Sequence, residues 1–201
     1  MSGINYKDPP VEVIPSPIAI DYEIKVIQDK LASIAWLQKI FGRGHLQPQP
    51  PQQKPAQQAK GGNQREQLVP EVYYNRSPYD ARPNDNLRAY CFFFPRDPMR
   101  FADYKGLDIE QPVQQPISIY FWANMQKVDA AKNYDFSDEL RRDVFTVLRR
   151  CGNLWLEEVY TQWDQVFRPF TITETFKQYV KPPYTAFRFD GVLRFDYAKI
   201  C

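Results

Sequence analysis

Apolar positions along this chain follow two periods. Ile24, Ile27, Leu31, Ile34 and Leu37 recur at spacings of three and four, which puts them on one face of a helix. Asp21 is the expected N-cap, and Gly42, just past Phe41, the expected left-handed stop. A second helix is predicted from Ser137 to Arg150. Ser137 or Asp135 caps it, Asp138 and Glu139 sit in its first turn, and Arg149 and Arg150 close it, each suiting the helix dipole. Leu140, Val144, Val147, Leu148 and Cys151 form its apolar face, and Gly152 ends it.

Between and after these helices the pattern turns strand-like. Leu68–Asn75, Leu87–Pro95 and Pro116–Met125 are rich in β-branched and aromatic residues and bounded by Pro, Asn or Asp. In YCFFFP, Phe92 and Phe94 oppose Phe93, as in a strand buried on both sides. Leu154–Phe167 is ambiguous between strand and helix: Leu154, Leu156 and Val159 suit a strand that turns irregular or helical by Trp163. In the C-terminal segment, Phe187, Phe189, Leu193, Phe195 and Tyr197 keep one phase of a period of two, with Arg188, Asp190, Arg194 and Asp196 in the other. Gly191 lies in the apolar phase. It marks either an Asp-Gly hairpin turn or a bend in one long strand, and the unbroken phase suits the strand.

Two stretches carry neither period. Residues 1–20 alternate proline with Val and Ile, which excludes a helix and predicts an extended arm. From about 45 to 67 the text is dominated by Gln and Pro, with nothing apolar larger than alanine over 47–67. It predicts an insertion that is flexible unless a partner orders it. The remainder, 21–201, reads as one domain. Composition adds two facts: aromatics reach 15%, and there are 18 prolines against 8 glycines. Rings in such number bring large buried area and are enriched at protein–protein contacts.

Candidate chemistry is sparse. The one histidine, His45, has no acid or cysteine near it in sequence to suggest a relay. Cys91, Cys151 and Cys201 are odd in number and lack zinc-site spacing, so they read as reduced thiols of a protein made in a reducing compartment. No glycine pattern suits a phosphate loop. No catalytic residue, metal ligand or cofactor is therefore expected. The enzyme class left open is a metal-dependent hydrolase using scattered carboxylates. A net charge of +2 does not by itself imply nucleic acid or membrane, and neither a secretory signal nor a membrane span is read. The competing reading is a single-stranded nucleic-acid-binding module. Tyr90, Phe92 and Phe94 would supply an aromatic sheet face, with Arg88 and Arg96 nearby.

The expected fold is α+β: a small, mainly antiparallel sheet flanked by two main helices, with the arm and the long loop as extensions. The order of elements resembles the tail-terminator and tail-completion proteins of tailed bacteriophages and related neck-ring subunits. It runs from a helix ending in KIFGR, through VPEVYYN and LRAYCFFFP, to ISIYFWAN leading into DFSDELRRDVFTVLRR, and closes on TAFRFDGVLRFDY. That resemblance implies a non-catalytic virion protein made in the host cytoplasm, forming a homo-oligomeric ring with other portal, neck or tail proteins. Candidate joining residues are Val11, Val13, Ile14, Ile18, Tyr73, Tyr74, Tyr79, Phe101 and Tyr104. Arg141, Arg142, Arg149 and Arg150 are candidates for non-specific contact with DNA in a channel.

Overall fold

Strands set the frame of this molecule. The computed structural model describes residues 19–49, 67–74, 77–101, 112–171 and 174–196. The strands are β1 (Lys39–Gln49), β2 (Gln67–Tyr74), β3 (Ser77–Asp80), β4 (Ala89–Pro95), β5 (Arg100–Phe101), β6 (Pro112–Asn124), β7 (Leu154–Tyr160) and β8 (Tyr184–Asp196). They form one eight-stranded sheet in the order β3-β2-β1-β4-β6-β8-β7, with β5 paired to β6. β1 and β4 run parallel, and the other described pairs are antiparallel. The sheet is thus larger than the small one expected. Its size comes from β1, which the helical periodicity concealed, and from β6 and β8, which pair along 13 residues each.

Both faces of the sheet are covered, as period-two alternation of apolar residues on two sides requires. One face carries Ile40, Cys91, Phe93, Ile117, Ile119, Phe121, Phe187, Phe189 and Leu193. Helices α1 (Ile20–Leu31) and α3 (Ser137–Leu148) cover it with Ile24, Ile27, Leu31, Leu140, Val144 and Leu148. The other face carries Phe41, Val72, Tyr90, Phe92, Phe94, Tyr120 and Trp122. Here the cover is irregular: Val166, at the end of the short helix α4 (Trp163–Val166), and then Phe167 and Phe170. The remaining short helices are α2 (Met125–Val128) and α5 (Glu174–Lys177). Register explains the aromatic content. Phe92 stands opposite Tyr120, Tyr90 opposite Trp122, and Phe121 opposite Phe187. Those pairs stack at 4.8, 5.5 and 5.1 Å between centroids, cross-strand contacts that stabilise a sheet.

Three expectations need correction. The first helix stops at Leu31, and KIFGR belongs to β1. Ile40 and Phe41 are adjacent yet enter opposite cores, which only a strand allows. Ile34 and Leu37 remain in the core from the turns that follow α1. Asp21 is not the N-cap: Ala19 holds that position, and the Asp21 carboxylate instead faces Arg43 at 3.3 Å. The Gln/Pro-rich text begins inside a strand, because Gln47, Pro48 and Gln49 pair with Val69, Leu68 and Gln67 of β2. Residues 50–66 lie outside the described residues.

The second helix begins at the expected residue but ends at Leu148, with Phe136 as N-cap and no side-chain cap, and Arg149 and Arg150 fall beyond its last turn. It starts at Ser137, whose backbone N–H donates to Asp135 Oδ1 at 2.9 Å, and Leu140, Val144 and Leu148 are buried. Leu154–Phe167 is a strand followed by a helical turn, and Tyr184–Asp196 is one long strand rather than a hairpin.

Candidate functional site

The two edges of the sheet differ. β3 has four residues, and Pro78 removes one donor from it. β7 has seven residues, LWLEEVY, with neither proline nor lysine, and among the described strands it pairs only with β8. Arg194 N–H donates to Asn153 C=O, so Asn153 and Trp155 turn their backbone groups towards β8. The alternation then points the N–H and C=O of Leu156 outward. An edge of this kind is a template for pairing unless something covers it.

Apolar side chains flank the edge on both faces. Trp155 is 63% exposed and Val159 47% exposed. Phe145, on α3, is 44% exposed, and its ring lies 6.4 Å from Phe189, the residue opposite Val159. Val159 and Phe145 therefore sit on the helical side of the sheet and Trp155 on the other, where the Arg194 guanidinium lies 5.6 Å from its ring. Glu157 and Glu158 are exposed between them; Glu157 lies 3.7 Å from Arg96, and Glu158 accepts from the Tyr160 hydroxyl.

A buried polar network holds the edge to the sheet. Arg188 of β8 is 7% exposed, and its Nη1 donates to the carbonyls of Gln165, Val166 and Arg168, at the end of α4 and just after it. Its guanidinium lies 4.2 Å from the Tyr160 ring, so one cation fastens both the end of β7 and the segment that follows. Asp190 is its counter-ion. The carboxylate accepts from Arg188 Nη2 at 3.2 Å, Arg96 Nη1 at 2.9 Å and Ser118 Oγ at 2.6 Å. Arg188 Nε lies 2.9 Å from the same carboxylate without the alignment of a hydrogen bond. Burial pushes the neighbouring Tyr120 phenol up to about 12, so it stays protonated and donates to Arg168 C=O.

The other candidate sites carry less. Tyr90, Phe92 and Phe94 are buried in the second core, Tyr90 against Phe41 and Trp122 and the two phenylalanines against Phe170, so no base can stack on them in this fold. That removes the rings on which the nucleic-acid reading relied. A cleft of about 560 Å³ beside α2 contains Arg88, Lys127, Lys132, Asp129, Glu139 and Asp143. Lys132 pairs with Glu139, Lys127 with Asp85, and Arg88 donates to the carbonyls of Ala35 and Trp36, so its cations are already engaged. His45 lies 2.9 Å from Glu71 across β1 and β2, a surface contact. Burial pushes the thiols of Cys91 and Cys151 up, away from reactivity. No group of three or more potential metal ligands occurs among the described residues.

The sequence-derived joining residues are scattered by the fold. Tyr73 on β2 and Phe101 on β5 are exposed, as a contact surface needs. Tyr74 and Tyr79 are not available: both pack on Phe41, at 5.6 and 5.2 Å, as part of the second core. Val11, Val13, Ile14, Ile18 and Tyr104 lie outside the described residues. Arg141 is half-buried and pairs with Asp138 at 2.8 Å, whereas Arg142, Arg149 and Arg150 are exposed. Trp155, Val159 and Phe145 were not singled out from sequence. The available signal was the polar tract EE inside an apolar strand, which marks a strand with one open side.

No protein-family model matches this chain, and no curated protein sequence matches it.

Proposed function

We propose that this chain is a non-catalytic, ring-forming structural subunit of the neck or tail of a tailed bacteriophage. The supporting observation is the β7 edge, which no other described strand pairs, with exposed Trp155, Val159 and Phe145 around it. A sheet covered on both faces can extend only through an edge, and large apolar residues beside that edge supply the burial that association needs. The order of elements along the sequence supplies the virion context, and other portal, neck or tail proteins would be the subunits above and below. Exposed Arg142 lies midway along α3 and exposed Arg149 and Arg150 just past its C-terminal end, where a channel wall would present them to DNA.

Native mass spectrometry and electron microscopy of the purified protein test the reading. The expected result is a discrete closed oligomer, or incorporation into particles when the other neck and tail proteins are present. A protein that stays monomeric at tens of micromolar and binds none of those components would overturn it.

A further inference from the structure

A subunit that joins through a sheet edge needs a second surface to receive that edge, and the fold narrows the choice. A second β7 does not suit. In an antiparallel pair of copies Glu157 and Glu158, in the middle of the strand, would meet their own counterparts, and like charges set opposite each other destabilise a sheet. β3, at the other end of the sheet, has four residues, carries Pro78 and ends on a further acid, Asp80. We infer that β7 is received by β5 of a neighbouring copy, with Phe101 set against Val159 and Phe145 and Arg100 against Glu158. The inference rests on the ring reading and deepens it, because it names the second half of the joint.

Exposure and charge are the first argument. Among the described strands β5 pairs on one side only, with β6. Phe101 is 60% exposed, more than any other large apolar side chain described except Trp155. Arg100 is exposed and engages no acid among the described residues. β7 offers the complements of both: apolar Val159 with Phe145 beside it, and the exposed carboxylate of Glu158. An apolar contact ringed by opposite charges is the composition of a specific interface.

Faces and directions are the second. Phe101 stands opposite Val113, part of the core beneath the helices, so it lies on the helical side of the sheet, as Val159 and Phe145 do. Arg100, opposite Gln114, lies on the other side, as does Glu158 opposite Asp190. β5 is antiparallel to β6, β6 to β8 and β8 to β7, so β5 and β7 run in opposite directions within one chain. Copies set head to tail around an axis, with their helices on the same side, therefore bring β5 to β7 antiparallel without turning either strand over. With Phe101 opposite Val159, Arg100 falls opposite Tyr160 and diagonal to Glu158, within reach of a long side chain. β5 has only two residues, so side-chain burial and charge would carry this joint more than backbone pairing.

Native mass spectrometry of the full-length chain over a concentration series tests the joint. Phe101→Asp and Val159→Asp should each raise the concentration needed for assembly by at least about tenfold. Their urea midpoints should stay close to wild type, since both side chains are exposed. An equimolar mixture of the two should form a 1:1 pair and nothing larger, because each variant keeps the surface that the other has lost. A Phe101→Asp protein that still associates like wild type would overturn the inference and leave the ring reading standing. A mixture no more associated than the separate variants would overturn it as well, since the two surfaces would then belong to different joints. The ring reading fails by a different result: a wild-type chain that forms no discrete oligomer at any concentration removes it, and this inference with it.

Discussion

A β-carbon on Gly191 would stand 2.4 Å from the carbonyl oxygen of Trp155 and 3.3 Å from Cα of Leu156. Both obstacles are backbone, so the strands must part to admit it. Gly191→Ala should cost about 1–3 kcal/mol, read as a lower urea midpoint. Gly152→Ala meets nothing within 4 Å and should change stability by less than about 0.5 kcal/mol. Equal midpoints for the two variants would refute the close approach of β7 and β8. Arg188 makes a second residue-scale case. Arg188→Met leaves the Asp190 carboxylate buried without its main counter-ion and three carbonyls without a donor, so a loss of about 3–5 kcal/mol is expected. Adding Asp190→Leu removes the orphaned charge, and the double variant should be less destabilised than the sum of the single ones. Sequence alternation put Arg188 and Asp190 in the right phase of β8 but could not show that this phase faces a second core. Charged residues ordinarily mark solvent, and here they pair with each other across a buried face.

The elements were legible to different degrees, for reasons that can be named. α3 combined acids in its first turn with an apolar stripe, and both pointed the same way. α1 shared its apolar spacing with the residues beyond it, so periodicity carried the helix past Leu31. Pairing of β1 with both β2 and β4 overrode that spacing. The two helices also differ in how their acids respond to pH. Asp135 and Glu139, at the start of α3, are held below the ordinary carboxylate range by the Ser137 backbone N–H and by Lys132 respectively. Asp21 and Glu23 of α1 are pushed up, chiefly by burial. On acidification Asp21 and Glu23 take up protons first, which removes a cost of burying charge and favours the fold. Asp135 and Glu139 protonate later, and the stability they contribute above the ordinary carboxylate range is lost as pH falls through their depressed values. An NMR titration of the carboxyl carbons should show this order. The order reversed would contradict the burial of α1 against β1.

At the scale of the whole molecule, excess aromatics in the sequence pointed to contact surfaces, but of the described candidates Tyr74 and Tyr79 pack on the second core. Tyr74 lies at the end of a predicted strand and Tyr79 just beyond it, yet both close the second core around Phe41. Trp155 and Val159 look like core residues and are exposed, because β7 happens to be last in the sheet. Strand order depends on long-range pairing, which a local pattern does not encode. This difference gives a direct contrast between stability and assembly. Trp155→Lys/Val159→Lys places two cations on residues that are 63% and 47% exposed, so each change should cost the monomer no more than about 0.5 kcal/mol. Lysine on an edge also blocks strand addition, so the oligomer should be lost while the urea midpoint stays close to wild type. Tyr74→Lys should do the opposite, since that ring packs against Phe41 and Tyr79: the midpoint falls, and assembly weakens only as far as the folded fraction does. If the edge variant assembles like the wild type, β7 is not the joining surface, and exposed Tyr73 and Phe101 become the next positions to charge.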